Sequence, residues 1–168
     1  MSEIFPIVDL QGNILDSATR EECHSGSFLL HPVVHLHILR KDGAILLQKR
    51  SMSKDIQPGR WDTAVGGHMD LGEDVLTSLR REAREELGVG DELDPQSVVV
   101  YPFRSDREYE LVNVYMWRAP ESFVPIADPG EIDEVRYWTP GEIEEAIGKG
   151  ILTPNFEQEY RRIADRLK

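Results

Sequence analysis

The chain holds a single cysteine, Cys23, in 168 residues, so no intramolecular disulfide can form and a thiolate zinc cage lacks ligands. That usage suits a reducing cytoplasm. Long apolar runs are missing too. Stretches such as residues 44–47 and 97–101 fall far short of the roughly 20 residues that cross a bilayer, which argues against a membrane-spanning protein. Basic charge is in deficit: 19 Lys and Arg against 31 Asp and Glu leave a formal net charge of −12. Such a balance disfavours a nucleic-acid polymer or an anionic membrane surface as partner and favours a divalent cation. The N-terminal run MSEIFPIVDLQGN carries acids and a proline where a secretory leader needs a basic start and an apolar stretch, so no targeting segment is expected.

What is present reads as one domain over residues 1–168, long enough for a single core. Residues 3–15 form two short extended pieces around the turn Gln11-Gly12-Asn13, and residues 16–22 a short helix or a linker. Residues 28–39 and 44–49, joined by Lys41-Asp42-Gly43, predict a β-hairpin. A loop with Pro58-Gly59 follows. Residues 61–65 predict a short strand that Gly66-Gly67 ends, with backbone free to take positive φ. Asp74 suits an N-cap, Val75, Leu76, Leu79, Ala83 and Leu87 recur at helical spacing, and Gly88 suits the position just past the helix. Residues 98–103, 110–117 and 134–138 predict strands; Thr139-Pro140-Gly141-Glu142 opens a helix through Ile147, and residues 155–167 form a last one. This order indicates an α+β layered domain rather than alternating βαβ units.

On the first long helix Glu82, Glu85 and Glu86 stand at i, i+3 and i+4 and share one arc. Like charges so placed repel one another unless a cation sits among them, and hard ions such as Mg²⁺ and Mn²⁺ favour carboxylate oxygen. The same residues also make an ordinary solvated acidic face relieved by Arg80, Arg81 and Arg84. Their context decides between the two. From Gly67 the chain runs GHMDLGEDVLTSLRREAREELGV, and Gly67, Glu73, Arg81, Glu82, Ala83, Glu85, Glu86, Gly88 and Val89 fill every fixed position of a pattern that resembles the Nudix box, residues 67–89. The resemblance covers about residues 28–147 and implies a Nudix fold, a mixed β-sheet sandwiched between α-helices (α/β/α), here preceded by a short N-terminal β extension, residues 1–25. It implies Mg²⁺ or Mn²⁺ as cofactor, with Glu82, Glu85, Glu86 and the Gly66 carbonyl as metal ligands. Glu73 and Arg81 would brace the loop against the helix, and Gly67 and Gly88 would be structural. Glu82 or Glu86 is the helix candidate for general base; Glu108, Glu110, Glu131 and Glu134 are candidates outside it, Glu110 foremost.

Residues 24–117 also resemble a narrower branch, the type I isopentenyl-diphosphate isomerases and the hydrolases nearest them. Lys49-Arg50-Ser51-Met52-Ser53-Lys54 followed by Pro58-Gly59-Arg60-Trp61 is similar to the isomerase segment that clamps the diphosphate, which implies Arg50, Lys54, Arg60 and Trp61 as substrate-binding residues. The same resemblance implies a second metal site of His24, His31, His68, Glu108 and Glu110, whereas His35 and His37 read as residues that simply alternate along a strand. One position breaks the likeness. The isomerase cysteine two residues before the histidine that matches His68 is here Gly66, which has no side chain to move a proton. Hydrolysis of a diphosphate linkage in a small nucleoside-diphosphate-type molecule is therefore favoured over isopentenyl-diphosphate isomerisation. Trp61, Phe103, Tyr109 and Tyr115 are candidates to stack on a base, with core packing as the alternative. A homodimer formed by exchange of the N-terminal strands is a further expectation.

Overall fold

Alternation along one strand sets the layers. A computed structural model describes residues 3–168, and the first two residues of the extension lie outside the described residues. Strand β3 (Leu30–Leu39) turns Val33 and Leu39 to one face and Val34, Leu36 and Ile38 to the other. Helix α2 (Val75–Leu87) covers the second face with Leu79, Ala83 and Leu87. Burying Leu79 and Leu87 fully is worth roughly 1.5–3 kcal/mol each. The first face is covered by α3 (Pro140–Ala146) and α4 (Pro154–Ile163), which contribute Ile143, Phe156, Tyr160 and Ile163. The result is the α/β/α sandwich of an α+β protein.

The sheet runs β5 (Trp61–Thr63), β4 (Ile45–Arg50), β3, β8 (Tyr109–Arg118), β7 (Gln96–Arg104), with β6 (Val65–His68) added to β3 and β9 (Ile132–Trp138) added to β4. It is mixed because β3 and β8 are parallel, from Leu30↔Tyr109 to Leu39↔Arg118, while the other pairs are antiparallel.

Two local expectations need correction. The β3–β4 hairpin closes at its turn and then opens: Leu39↔Ile45 is the register pair between them, after which β3 takes β6 and β8 as neighbours and β4 takes β5 and β9. Competing partners on both edges of each strand outbid the pairing that a tight turn would favour. Residues 61–68 bridge the resulting split, since β5 lies on β4 and β6 on β3, with Ala64 at the crossing. Gly66 and Gly67 therefore lie inside β6 instead of ending a strand, and neither takes positive φ. Gly67 is needed for space, because a Cβ there would overlap the Glu82 carboxyl.

The ends of α2 are capped as its sequence predicts. Asp74 Oδ1 accepts from Thr77 N at 2.8 Å, and Gly88 takes φ 68°. Past the cap, Ile126 N and Asp128 N donate to the carbonyls of Leu87 and Glu86, so residues 126–128 are tied to the end of this helix.

The extension folds onto its own chain. β1 (Ile4–Val8) and β2 (Ile14–Thr19) pair antiparallel around a turn in which Asp9 Oδ1 accepts from Gln11 N and Asn13 N. Residues 16–22 are split between β2 and the four-residue helix α1 (Arg20–Cys23), because pairing continues to Ile4↔Thr19 and Thr19 then caps α1 in a capping box with Glu22. Val8 packs on Leu30 and Leu111, and Leu71 N donates to Ile4 O, so the hairpin is docked on the sheet and the loop before α2. No helix among the described residues is long and apolar enough to cross a membrane.

Candidate active site

Helix α2 presents its carboxylates to β6. Glu82 lies over Gly67, and burial raises its carboxyl above the ordinary value. Burial also pushes the Glu86 carboxyl, with Glu82 as its like-charged neighbour, up to about 8 although it accepts from Gln48 Nε2 at 3.0 Å. Glu86 Oε2 is buried without a hydrogen-bond partner, an orphaned acceptor of the kind a cation would satisfy. Glu85 stands more open, 3.6 Å from Arg81 Nη1. These donors are hard oxygens, and their crowding fits a divalent ion.

Arg81 organises the side opposite Glu86. Its guanidinium forks onto Glu73 at 2.9 and 3.0 Å, donates to Glu82 at 2.7 Å, and reaches the His68 carbonyl at 3.0 Å. Glu73 further accepts from Ser78 Oγ and Asp70 N. The Arg81 bonds, the largest cause, hold the Glu73 carboxyl at about 2. Loop and helix are thereby locked together at the point where β6 ends.

Gln48 is a residue the sequence did not flag. It is buried on β4, and its amide donates to Ala64 O at 2.9 Å, the carbonyl at the strand crossing, as well as to Glu86. Nothing in Ile-Leu-Leu-Gln-Lys-Arg marks that glutamine, because its task arises from the split between β3 and β4.

Four segments build a second cluster. His24 follows α1, His31 lies on β3, His68 on β6, and Glu108 just before β8, and one ligand atom from each falls within 4.8 Å of the others. The Nε2 atoms of His24, His31 and His68 are buried without hydrogen-bond partners. His31 Nδ1 donates to Leu29 O at 2.9 Å, which leaves Nε2 as the free acceptor. Burial pushes His31 below the usual imidazole value and His68 well below it, so both favour the neutral form that ligates metals. Glu110 sits behind, its Oε2 3.9 Å from His31 and 3.8 Å from His68. Burial and Glu108 hold its carboxyl well above the ordinary range. Phe5, from the extension, stacks on His68 with ring centroids 4.5 Å apart. No pattern in the sequence foretold Phe5.

A cleft of about 930 Å³ joins the two clusters. Arg50 and Lys54 line it, Arg50 3.7 Å from Asp62 and Lys54 paired with Glu131. The structure does not bring Arg60 and Trp61 there: Arg60 extends toward Gly150, and Trp61 packs edge-on against Trp138 with Arg136 stacked nearby. Of the outlying base candidates, Glu108, Glu110 and Glu131 line the cleft, whereas Glu134 lies opposite Lys49 outside it. Phe103 reaches the cleft; Tyr109 and Tyr115 pack against hydrophobic clusters. Cys23 is buried with Phe5, Ile7 and Ala18, and burial pushes its thiol up to about 11. His35, on the wall of the cleft, and His37, fully buried behind it, do more than alternate, for both bond to Glu159 of α4. Glu159 opposes its own burial through them, and His35, despite burial, is raised to about 9 by that carboxylate.

Known proteins share this frame. An uncharacterized Nudix hydrolase of Yersinia pestis is 34% identical over 174 residues, covering 95% of this chain and 91% of that protein. An isopentenyl-diphosphate Delta-isomerase of Agromyces mediolanus is 29% identical over 155 residues, covering 87% of this chain and 72% of that one. The crystal structure of DR0079 from Deinococcus radiodurans matches with a TM-score of 0.82 and 26% identity, over 96% of this chain and 99% of that chain. Residues 29–164 fit the model of the NUDIX domain family, and with the 67–89 motif folded as loop and capped helix against β6, the chain belongs to the Nudix family of hydrolases.

Proposed function

We propose that this enzyme hydrolyses a diphosphate linkage in a small nucleoside-diphosphate-type substrate, with Mg²⁺ or Mn²⁺. The observation that carries the reading is the pair of buried carboxyls on one helix face, Glu82 lying over Gly67 and Glu86 beside it with one oxygen orphaned. Glu82, Glu85, Glu86 and the Gly66 carbonyl would hold the ion, which supplies charge neutralisation of the diphosphate and a more acidic water. Glu86 or Glu82 accepts the proton of the attacking water, and Glu110 at the cleft wall is the alternative base. Arg50 and Lys54 bind the diphosphate by exchanging Asp62 and Glu131 for phosphate oxygens. His24, His31, His68 and Glu108, with Glu110 behind them, form a second cation site, supported by three converging imidazole Nε2 atoms that make no hydrogen bond, that of His24 lying 3.3 Å from Glu108 Oε1. A reducing cytoplasm is the compartment that the free, buried Cys23 suits.

The character of the wall favours a nucleoside over a prenyl chain. Val33, Ile56 and Phe103 are its few large apolar residues among many charged ones, and a hydrocarbon tail would find little to bury against. Isomerisation is the second reading, favoured by the histidine cluster and opposed by Gly66 and by the place of Cys23, which does not line the cleft. Wild type and Glu86→Gln, assayed with Mg²⁺ and Mn²⁺ on nucleoside, sugar-nucleotide and prenyl diphosphates, test the choice. Phosphate or pyrophosphate release by wild type that is lost in the variant supports hydrolysis. No release from any substrate, with proton exchange on isopentenyl diphosphate, would replace it by isomerisation.

A further inference from the structure

Two residues other than glycine take positive φ among the described residues, Phe28 at 55° and Gln57 at 51°. A side chain is crowded in that region, so each case calls for a cause. Phe28 has one in its packing, with the Arg104 guanidinium 4.1 Å over its ring. Gln57 has none of that kind. It also precedes Pro58, a setting that itself favours extended backbone, and its side-chain amide makes no hydrogen bond among the described residues. Glycine would take this conformation without strain. Glutamine therefore stands where the backbone disfavours it, and it does so on the wall of the cleft. Local strain of this kind gathers at ligand sites.

The loop around Gln57 is tied to the cations that face the diphosphate. Arg50 Nε donates to Ile56 O at 3.0 Å, Gly59 N to Arg50 O at 3.0 Å, and Arg60 N to Gln57 O at 3.4 Å. Arg50, Lys54, Ile56 and Gln57 all line the cleft. Ile56 is 50% exposed although it is apolar. Along this strip come two cations, an uncovered aliphatic side chain, and an amide that offers two donors and an acceptor. A nucleoside diphosphate presents the matching parts: anionic phosphates, a ring with apolar faces, and a base edge where donors and acceptors alternate.

We propose that Ile56 and Gln57 form the base subsite, with Ile56 against a face of the ring and the Gln57 amide hydrogen-bonded to its edge. This rests on the hydrolase reading and deepens it by naming the residues that recognise the nucleoside. The strained backbone aims the amide at the ligand, which is why glutamine occupies a position where glycine would be more comfortable.

Two kinds of probe separate the subsites, each added with Mg²⁺ to the full chain and followed by calorimetry. Methylenediphosphonate carries the diphosphate alone, and the α,β-methylene diphosphates of adenosine, guanosine, cytidine and uridine add a nucleoside to it. Wild type should bind at least one nucleoside probe more tightly than methylenediphosphonate. Gln57→Gly keeps the backbone conformation and removes the amide, so its Tm should equal or exceed that of wild type. Its affinity for the preferred nucleoside probe should fall about tenfold, as loss of the amide hydrogen bonds predicts, with that for methylenediphosphonate unchanged. Ile56→Ala should weaken the same nucleoside probe about threefold and spare methylenediphosphonate. Equal affinity of wild type and Gln57→Gly for every nucleoside probe overturns the proposal, and equal affinity in Ile56→Ala overturns the Ile56 contact. A loss in Gln57→Gly that extends to methylenediphosphonate, or a lower Tm, marks a purely structural role and overturns it too. Failure of wild type to bind any probe removes the hydrolase reading together with this subsite. Binding of methylenediphosphonate with no gain from any nucleoside removes the subsite and leaves diphosphate hydrolysis standing.

Discussion

The carboxylate helix and the histidine cluster both leave buried polar atoms without partners, but they are built in opposite ways. Glu82, Glu85 and Glu86 come from one turn and a half of α2, so helical geometry by itself brings them together. His24, His31, His68 and Glu108 come from four segments, and their convergence depends on the extension docking, on parallel pairing of β3 with β8, and on β6 closing the split in the sheet. Strand β6 serves both, with Gly67 under Glu82 and His68 in the cluster. The three helix glutamates stay together as long as α2 is helical, whereas a cluster assembled from strands and an extension shares the fate of each piece.

The largest expected effect tests the helix. Glu86→Gln should lower turnover about a thousandfold, roughly 4 kcal/mol of transition-state stabilisation, measured by phosphate release with Mg²⁺. Stability should move the other way. The Glu86 carboxyl is raised to about 8 from 4.5, so the folded state binds the extra proton and stability falls as pH rises between these values. Metal-free Glu86→Gln should accordingly melt higher than wild type at pH 8; a lower Tm would contradict the burial of that charge.

Next in size is Glu73, on the same motif with the reverse sign. Its carboxyl is held at about 2 against 4.5, so its stabilisation is complete above pH 4.5 and disappears as pH falls toward 2. Glu73→Gln should cost about 2–3 kcal/mol at pH 7 in urea denaturation and flatten the acid limb of the stability profile. An unchanged limb would mean that the Arg81 fork does not brace the loop. Gln48→Leu probes the link between sheet and helix: orphaning Ala64 O should destabilise by about 1–3 kcal/mol, and activity should fall through the unsupported Glu86.

The histidine cluster should respond differently. The double variant His31→Ala, His68→Ala should lose one bound metal ion by elemental analysis and make residues 3–24 more open to protease, with turnover within about tenfold of wild type. Loss of turnover as deep as in Glu86→Gln would erase the distinction between the two sites. Smallest of all, Arg60→Ala should shift KM less than about twofold, since surface changes away from a site have little effect.

Capping, periodicity and turn residues made much of the fold legible in advance. Asp74, Gly88, Thr139 and Gln11-Gly12-Asn13 each do in the structure what local chemistry predicts of them, because caps and turns are decided within a few residues. The hairpin of residues 28–49 misled for the same reason: its turn is local and correct, but partners from residues 61–68, 109–118 and 132–138 decide the rest of the ladder. Arg60 and Trp61 adjoin residues that line the cleft, yet residues 150–153 draw them to the other side.

By itself the sequence determined the acidic balance, the helix with its three glutamates, and the glycine at position 66 that removes an acid/base side chain, since each is a property of residue type or short spacing. The tertiary structure decided what long-range pairing alone can decide: that Gln48 reaches both a strand crossing and Glu86, that Phe5 lies on His68, and that Glu159, over a hundred residues along the chain, stands behind His35. Side chains so far apart in sequence meet because burying both faces of one twisted sheet leaves them no other place, and no local pattern records that outcome.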